Sequence, residues 1–191
     1  IAENIYIGLT MVQKEESLEI LVYDWRAPIS GMFYDYETGP AKYETPAGTV
    51  EGELTLKRQF RIRNGRIEVM FDSAIKIDDE ILQELLGQSK DEKMKTIVTS
   101  IQREQNLAIR DEGHSLLIVE GPAGSGKTSI ALHRIAFLLY RYRNSITNAN
   151  VVIFSPNEMF NDYISEVLPE LGEENVRQTT FMEFAKSFLK A

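Results

Sequence analysis

The sequence predicts an α/β protein in which a β-rich antiparallel region over residues 1–88 precedes an incomplete domain with a parallel sheet over residues 89–191. Three observations lead to this fold class. The front region alternates apolar and polar residues around an Asn-Gly pair, which is typical of a hairpin. The back region contains the segment GPAGSGKT between an apolar run and a helical segment. Beyond it, short apolar runs alternate with helical spacing, as in parallel α/β sheets.

The composition is that of a globular chain without a membrane span. Apolar residues make up 43% and charged residues 26% of the 191 residues. No apolar run reaches the roughly 20 residues that a membrane helix needs. The absence of cysteine excludes disulfides and thiolate metal sites and favours a reducing compartment, the cytoplasm. Because the first residue is Ile1 rather than Met, we expect a piece of a longer protein.

The negative charge of the chain is concentrated in its front region. The net charge is −8; residues 1–86 hold 9 Lys and Arg against 16 Asp and Glu, whereas residues 87–191 hold 12 against 13. An acidic front region argues against broad contact with a nucleic acid backbone. The nearly neutral back region leaves local contact possible.

Apolar-rich runs predict three strands at the start of the chain, over residues 4–13, 17–25 and 29–36. The best-defined hairpin follows, and it turns at Asn64-Gly65 in a two-residue type I′ turn. Its predicted register places Ile62 opposite Ile67, Phe60 opposite Val69 and Arg61 opposite Glu68.

Helical spacing replaces strand alternation from residue 78 onward. Residues 78–86, 91–103 and 105–111 are predicted helices, and we place the boundary between the two regions near residues 87–92. The remaining predicted elements are strands over residues 116–119 and 151–154 and helices over residues 128–143, 158–168 and 180–189.

The segment Gly121–Thr128 fits the phosphate-binding pattern GxxxxGK[ST] at every position. Its glycines allow successive backbone N–H groups to face a phosphate, and the next helix directs its positive end at the same anion. We expect Lys127 at the β- and γ-phosphates of a nucleotide and the Thr128 hydroxyl on Mg²⁺, and both are predicted catalytic residues. The predicted nucleotide contacts are Gly121, Pro122, Ala123, Gly124, Ser125, Gly126, Lys127, Thr128 and Ser129.

Gln105 lies on a predicted helix ahead of the loop. A glutamine amide both donates and accepts hydrogen bonds, which matches the N6/N7 edge of adenine and would select ATP. The spacing alone leaves a second interpretation open, in which Gln105 is an exposed helical residue without a ligand.

From about residue 97 to 140 the chain resembles the UvrD/Rep-like superfamily-1 helicases. The resemblance rests on Gln105-Asn-Leu-Ala-Ile109, on the loop GPAGSGKT and on His133-Arg-Ile-Ala136. It implies a RecA-like P-loop NTPase domain that binds Mg-ATP. In a looser match, residues Ser155, Pro156, Asn157, Thr180 and Phe181 fall where the family contacts single-stranded nucleic acid. The segment Phe154-Ser-Pro-Asn157 departs from the family pattern, which weakens the expectation of single-stranded DNA binding.

The segment Tyr23-Asp-Trp-Arg-Ala-Pro-Ile-Ser30 resembles the region before the first RecA-like domain of HelD-type proteins. Those are helicase-like ATPases that bind bacterial RNA polymerase and help release it from nucleic acid. The resemblance implies the ATP-binding part of such a motor, with RNA polymerase as a partner and a second RecA-like domain outside this chain. Two alternatives stay open: a DNA repair helicase that translocates on single-stranded DNA, and a partner-docking module with a nucleotide switch.

Hydrolysis of ATP also requires an acidic pair after an apolar strand and arginines from a second domain. Asp24 follows an apolar run, but Trp25 comes next and the loop lies far downstream, so we interpret Asp24 as an ordinary strand end. The resemblance implies that the catalytic Asp-Glu pair lies beyond Ala191, so we expect the fragment alone to be inactive. His114 and His133 are expected to pack rather than to bind a metal.

Overall fold

The computed structural model describes residues 3–72 and 103–189, which form two compact units. One unit combines Ile1–Arg26 with Glu104–Ala191, and the other comprises Ala27–Arg103. The predicted boundary near residues 87–92 lies outside the described residues, as does the predicted helix over residues 78–86. Of the predicted helix over residues 91–103, only residue 103 is described. In the described part of the chain, the fold is mixed α/β with small sheets and five α-helices.

The first unit begins with a three-stranded sheet in the order β1-β3-β2. Strands β1 (Ile7–Gly8) and β3 (Ile20–Asp24) are parallel, and β2 (Val12–Gln13) pairs antiparallel with β3. The predicted strands over residues 4–13 and 17–25 are therefore confirmed, although the first run divides into two short strands. Asp24 ends β3 and is buried.

The rest of the first unit alternates helices and strands around one apolar core. Its elements are α2 (Arg103–Arg110), α3 (Lys127–Arg141), a 3-10 turn (Asn148–Asn150), β8 (Val152–Ser155), α4 (Glu158–Glu170), β9 (Arg177–Thr180) and α5 (Phe181–Leu189). Helices α3 and α4 contact each other, and the core residues that they and α2 contribute include Ile109, Leu132, Ala136, Phe137, Val167 and Leu168.

Strands β8 and β9 are parallel, with Ser155 opposite Thr180. The strand predicted at residues 116–119 is not observed: residues 111–126 lie outside helices and strands, and Leu116 and Ile118 are 75% and 72% exposed. A strand exists only where another segment pairs with it, and no described segment pairs with this apolar run. The larger parallel sheet expected from the sequence is therefore not seen in residues 103–189.

The second unit contains α1 (Pro28–Asp35) and two antiparallel hairpins. The prediction of a strand over residues 29–36 is wrong, because this run forms α1. Pro28 stands in the first turn, where its fixed φ suits a helix and its missing N–H costs no hydrogen bond. Helix α1 packs on the first hairpin, which consists of β4 (Gly39–Thr45) and β5 (Gly48–Leu54).

The second hairpin consists of β6 (Arg58–Arg63) and β7 (Arg66–Asp72) and turns at Asn64-Gly65 as predicted. Both turn residues have positive φ, 51° and 71°, as a type I′ turn requires. The register is only partly as predicted, because it shifts between Arg61 and Ile62. Ile62 faces Ile67 as expected, but Arg61 faces Val69 and Phe60 faces Met70. Such a bulge adds one residue to one strand, which alternation alone does not reveal.

Within residues 3–72 and 103–189, no helix combines the length and apolarity that a membrane crossing would demand.

Candidate nucleotide-binding site

The glycine-rich loop lies directly before α3, and two of its glycines have conformations that favour glycine. Gly124 and Gly126 have φ of +80° and +83°, and Gly126 is the N-cap of α3. Gly126 has no side chain to cap the helix, so the first N–H groups of α3 are left for an external acceptor. The local geometry therefore suits an anion such as a phosphate.

The beginning of the loop is packed against its middle. A Cβ atom at Gly121 would lie 2.6 Å from Ser125 Oγ, so no other residue fits there without rearrangement. The N–H of Ser125 also donates to the carbonyl of Pro122 at 3.3 Å. Gly121, Pro122, Ala123, Gly124 and Ser125 are all exposed, so the loop is open to a ligand from solvent.

Lys127 is the first residue of α3, and its ammonium group lies back over the loop. The Nζ atom donates to the carbonyls of Gly121 and Pro122 at 2.7 and 2.6 Å. This places a positive charge at the same loop whose backbone conformation suits an anion. The next residue, Thr128, is half-buried in the first turn of the helix.

Gln105 lies beside the loop, as the sequence suggested it could. It is half-buried on α2, and its Nε2 atom is 3.4 Å from the position that a Cβ atom on Gly126 would occupy. The structure thus brings the amide of Gln105 to the helix end of the loop. Gln105 is half-buried rather than exposed, and its contact with adenine stays a prediction.

His133 lies on the buried side of α3, one turn after Ser129. Its Nδ1 atom is 2.8 Å from the Ser129 carbonyl and 3.4 Å from the Ser129 hydroxyl, so the Nδ1–H donates to the carbonyl. Burial lowers the pKa of His133, although the hydrogen bond to Ser129 opposes this effect. His133 is therefore neutral near pH 7 and packs as predicted.

Trp25 contacts His133 and is a residue whose role the sequence did not predict. The two rings meet edge to face with their centroids 5.4 Å apart, and Trp25 is only 5% exposed. From the sequence, Trp25 is only the last residue of the strand predicted over residues 17–25. In the structure the segment of Trp25 and Arg26 is part of the core that packs on α3.

Arg26 is buried beside Trp25 and makes a dense set of polar contacts. Its Nε and Nη2 atoms donate to the two carboxylate oxygens of Asp24 at 2.8 and 2.7 Å, and Nη1 donates to Glu173. Its guanidinium group also lies 4.7 Å from the ring centroid of Tyr140 on α3. As predicted, Asp24 ends strand β3; its carboxylate is in addition half of a buried ion pair, which the sequence interpretation did not include.

A sequence signal for this ion pair exists. An acid and an arginine two residues apart, at the end of an apolar strand, can form a bidentate pair that permits both to be buried. Burial lowers the pKa of Arg26, but the hydrogen bonds and charge of Asp24 outweigh it, so the pKa is raised. Arg26 therefore stays charged.

The second group of predicted contacts lies at the ends of β8 and β9. The structure brings Ser155 and Thr180 opposite each other, but their polar atoms form hydrogen bonds within the chain. The Ser155 hydroxyl donates to Asn161 at 2.6 Å, and the side chain of Asn157 caps α4. The Thr180 hydroxyl accepts from the N–H of Glu183, and the Glu183 carboxylate accepts from the N–H of Thr180.

Two members of this second group point outward. Pro156 is exposed, and Phe181 is 73% exposed, with its ring centroid 6.4 Å from that of Phe154. Pro156 and Phe181 are therefore the members of this group whose apolar side chains are exposed.

The described residues contain no group of three or more His, Cys, Asp or Glu side chains that could hold a metal ion. A Mg²⁺ ion at this loop would therefore need ligands from a bound nucleotide in addition to the Thr128 hydroxyl.

The front of the chain matches a known protein family. Residues 2–91 match the family of the N-terminal domain of DNA helicase IV HelD. The match confirms the predicted resemblance to a HelD-type N-terminal fragment. No curated protein matches this chain.

Proposed function

We propose that this chain is the ATP-binding part of a helicase-like motor ATPase. Its residues 2–91 match the family of HelD N-terminal domains, which supports the helicase-like part of the proposal. The observation that carries the proposal is the position of Gln105 beside Gly126, with the ammonium of Lys127 at the same loop. An adenine-reading amide and a phosphate-binding loop in one place match the two ends of ATP.

Each group has a distinct task in the proposed site. The backbone N–H groups of the loop and the first turn of α3 bind phosphate oxygens, and Lys127 leaves its carbonyl partners to contact the β- and γ-phosphates. The Thr128 hydroxyl ligates Mg²⁺, which neutralises phosphate charge when bound. Hydrolysis also requires an acidic pair and arginines, which the described residues do not place at this loop.

Binding of Mg-ATP should raise the stability of the first unit. Trp25, the only tryptophan, lies inside this unit and reports its unfolding by fluorescence. At an ATP concentration 100 times the dissociation constant, the expected gain is about 2.7 kcal/mol. Lys127→Ala should abolish most of the gain, whereas the exposed Lys186→Ala is the matched control. An equal gain in wild type and Lys127→Ala, or no gain in wild type, would refute the proposal.

A second candidate function, partner docking, is favoured by the second hairpin. Phe60, Ile62, Ile67 and Met70 are all exposed there, which is unusual for apolar residues on neighbouring strands. Following the HelD resemblance, RNA polymerase is the proposed partner. We expect Ile62→Ser/Ile67→Ser to weaken binding to purified RNA polymerase, with Val50→Ser on the first hairpin as the control. Equal binding of RNA polymerase by both variants would show that the second hairpin is not part of the interface.

Translocation on single-stranded DNA remains the alternative motor function. Exposed Phe181 could stack on a base, but the polar atoms of Ser155, Asn157 and Thr180 already cap helices or bind neighbours. We therefore propose that the chain binds a labelled oligonucleotide weakly even at low salt. Tight binding that falls steeply with salt, and that Phe181→Ala reduces, would favour the alternative.

A further inference from the structure

Trp25 and Arg26, here called the HelD-type segment, belong to the unit that carries the phosphate loop. Trp25 and Arg26 lie within the family match, yet they pack on His133 and Tyr140 of α3, which lies outside it. The same two residues also contact α2, the helix that carries Gln105. The contact is made by Arg110 of α2, which binds their backbone carbonyls.

Arg110 is the last residue of α2, and its guanidinium group connects three parts of the unit. Its Nη2 and Nη1 atoms donate to the backbone carbonyls of Trp25 and Arg26, the latter at 3.4 Å. Its Nε atom donates to the side chain of Asn106 at 3.0 Å. The group also lies 5.2 Å from the ring centroid of Phe137 on α3.

In the described part of the chain, contacts at its last turn hold α2 in place. Most of the stability of a protein helix comes from tertiary packing, so the position of α2 depends on such contacts. Besides Arg110, these contacts include Arg134 of α3, whose Nη1 donates to the carbonyl of Ala108 at 2.8 Å, and the buried Ile109. Gln105 is five residues before Arg110 on the same rigid helix, so a shift of the last turn moves its amide relative to Gly126.

We propose that Arg110 is a positioning residue for adenine recognition. By binding the carbonyls of Trp25 and Arg26, it fixes α2 so that the Gln105 amide stands beside Gly126. The HelD-type segment thereby sets the base preference of the nucleotide site. This inference rests on the proposed binding of ATP, and it adds a determinant of ATP over GTP that does not touch the nucleotide.

The test measures the ratio of the dissociation constants for Mg-GTP and Mg-ATP by calorimetry on the full chain. Gln105→Ala should lower this ratio about tenfold, as expected from the loss of one or two hydrogen bonds. Arg110→Met keeps an unbranched stem but removes the donors, and it should lower the ratio by a similar factor. Arg143→Met is the matched control, because Arg143 is exposed and contacts Tyr140.

The double variant Gln105→Ala/Arg110→Met separates positioning from general destabilisation. If Arg110 acts through Gln105, the double variant should have the same ratio as Gln105→Ala alone. Binding of inorganic tripolyphosphate, which has no base, should be unchanged in Arg110→Met. Should that variant not fold by circular dichroism and Trp25 fluorescence, Arg110→Lys, whose single ammonium cannot match the guanidinium fork, should give a partial loss.

The outcomes distinguish this inference from the proposed function. An unchanged ratio in Arg110→Met or Arg110→Lys, in a chain whose wild type prefers ATP, overturns the inference and leaves ATP binding intact. Equal loss of ATP, GTP and tripolyphosphate binding also overturns it, because that result indicates a structural role alone. A wild-type chain that binds neither nucleotide overturns both.

Discussion

The ion pair of Asp24 and Arg26 shows how single residues stabilise the first unit. Both side chains are buried, and the carboxylate accepts from the Nε, Nη2 and backbone N–H groups of Arg26. Burial raises the pKa of Glu173, the second partner, although Arg26 opposes that shift. A buried charge is tolerated only with such partners, so removing one partner leaves the other uncompensated.

We expect Asp24→Asn to lower the free energy of unfolding by about 3–5 kcal/mol, because it leaves the buried Arg26 without its main partner. Glu112→Gln is the matched control at the exposed pair with Arg141, where the loss should be about 1 kcal/mol or less. Urea titrations followed by Trp25 fluorescence measure both. Equal effects of the two variants would contradict a special role for the buried pair.

His133 predicts how the stability of the first unit depends on pH. Its pKa is lowered by burial from the usual 6.5, so the folded state binds fewer protons than the unfolded state below that pH. Its contribution to stability is therefore complete above about pH 6.5 and is lost as the pH falls further. His133→Asn, which keeps a donor for the Ser129 carbonyl but does not titrate, should flatten this dependence.

The control for this prediction is Lys186→Gln, because Lys186 is exposed on α5. Denaturant midpoints measured from pH 7.5 to pH 5 should keep the wild-type slope in this variant. A wild-type slope in His133→Asn would show that other groups set the pH dependence.

At the scale of elements, local chemistry predicted the turns well and the pairing less well. The Asn64-Gly65 turn forms where it is predicted, whereas the N-cap role of Asn157 in α4 is seen only in the structure. The apolar-rich run over residues 29–36 fits a strand, but Pro28 favours a helix start, and the run forms the helix Pro28–Asp35. The bulge at Arg61/Ile62 depends on the partner strand, so no local pattern indicates it.

We expect Gly65→Ala to destabilise the second hairpin by about 1 kcal/mol, because its φ of +71° is unfavourable for a residue with a Cβ atom. Gly52→Ala, at a site with open space around it on the first hairpin, should be neutral or stabilising by about 0.5 kcal/mol. Amide hydrogen exchange of the strands measures each effect. Equal protection in both variants would contradict the type I′ assignment.

At the scale of the whole molecule, the first unit is built from two separate stretches of chain. Ile1–Arg26 groups with Glu104–Ala191, although the family match continues to residue 91. Trp25 and Arg26 complete the core around α3, and Gly172 at the end of α4 lies so close to Arg26 that a Cβ atom there would be 3.2 Å from Nη2. The division of the sequence at residue 88 therefore separates segments that pack together.

We expect a fragment of residues 89–191 to lack a cooperative thermal transition, because it lacks the segment that covers α3 and binds Arg110. Circular dichroism of this fragment and of the full chain makes the comparison. A cooperative transition in the fragment at the temperature of the full chain would show that Ile1–Arg26 contributes nothing to its fold.

The sequence by itself determined the glycine-rich loop before α3, the type I′ turn, the strands within residues 4–13 and 17–25, and the resemblance of residues 2–91 to HelD N-terminal domains. Each of these depends on residues close together in the chain or on a pattern that extends along a long stretch of it. Only the tertiary structure decided that residues 116–119 pair with no described strand, that the register shifts at Arg61, and that the segment Asp24–Arg26 packs on α3. It also decided the place of Gln105 beside Gly126. These features are set by contacts between residues far apart in sequence, and local propensity carries no record of which distant partner a segment meets.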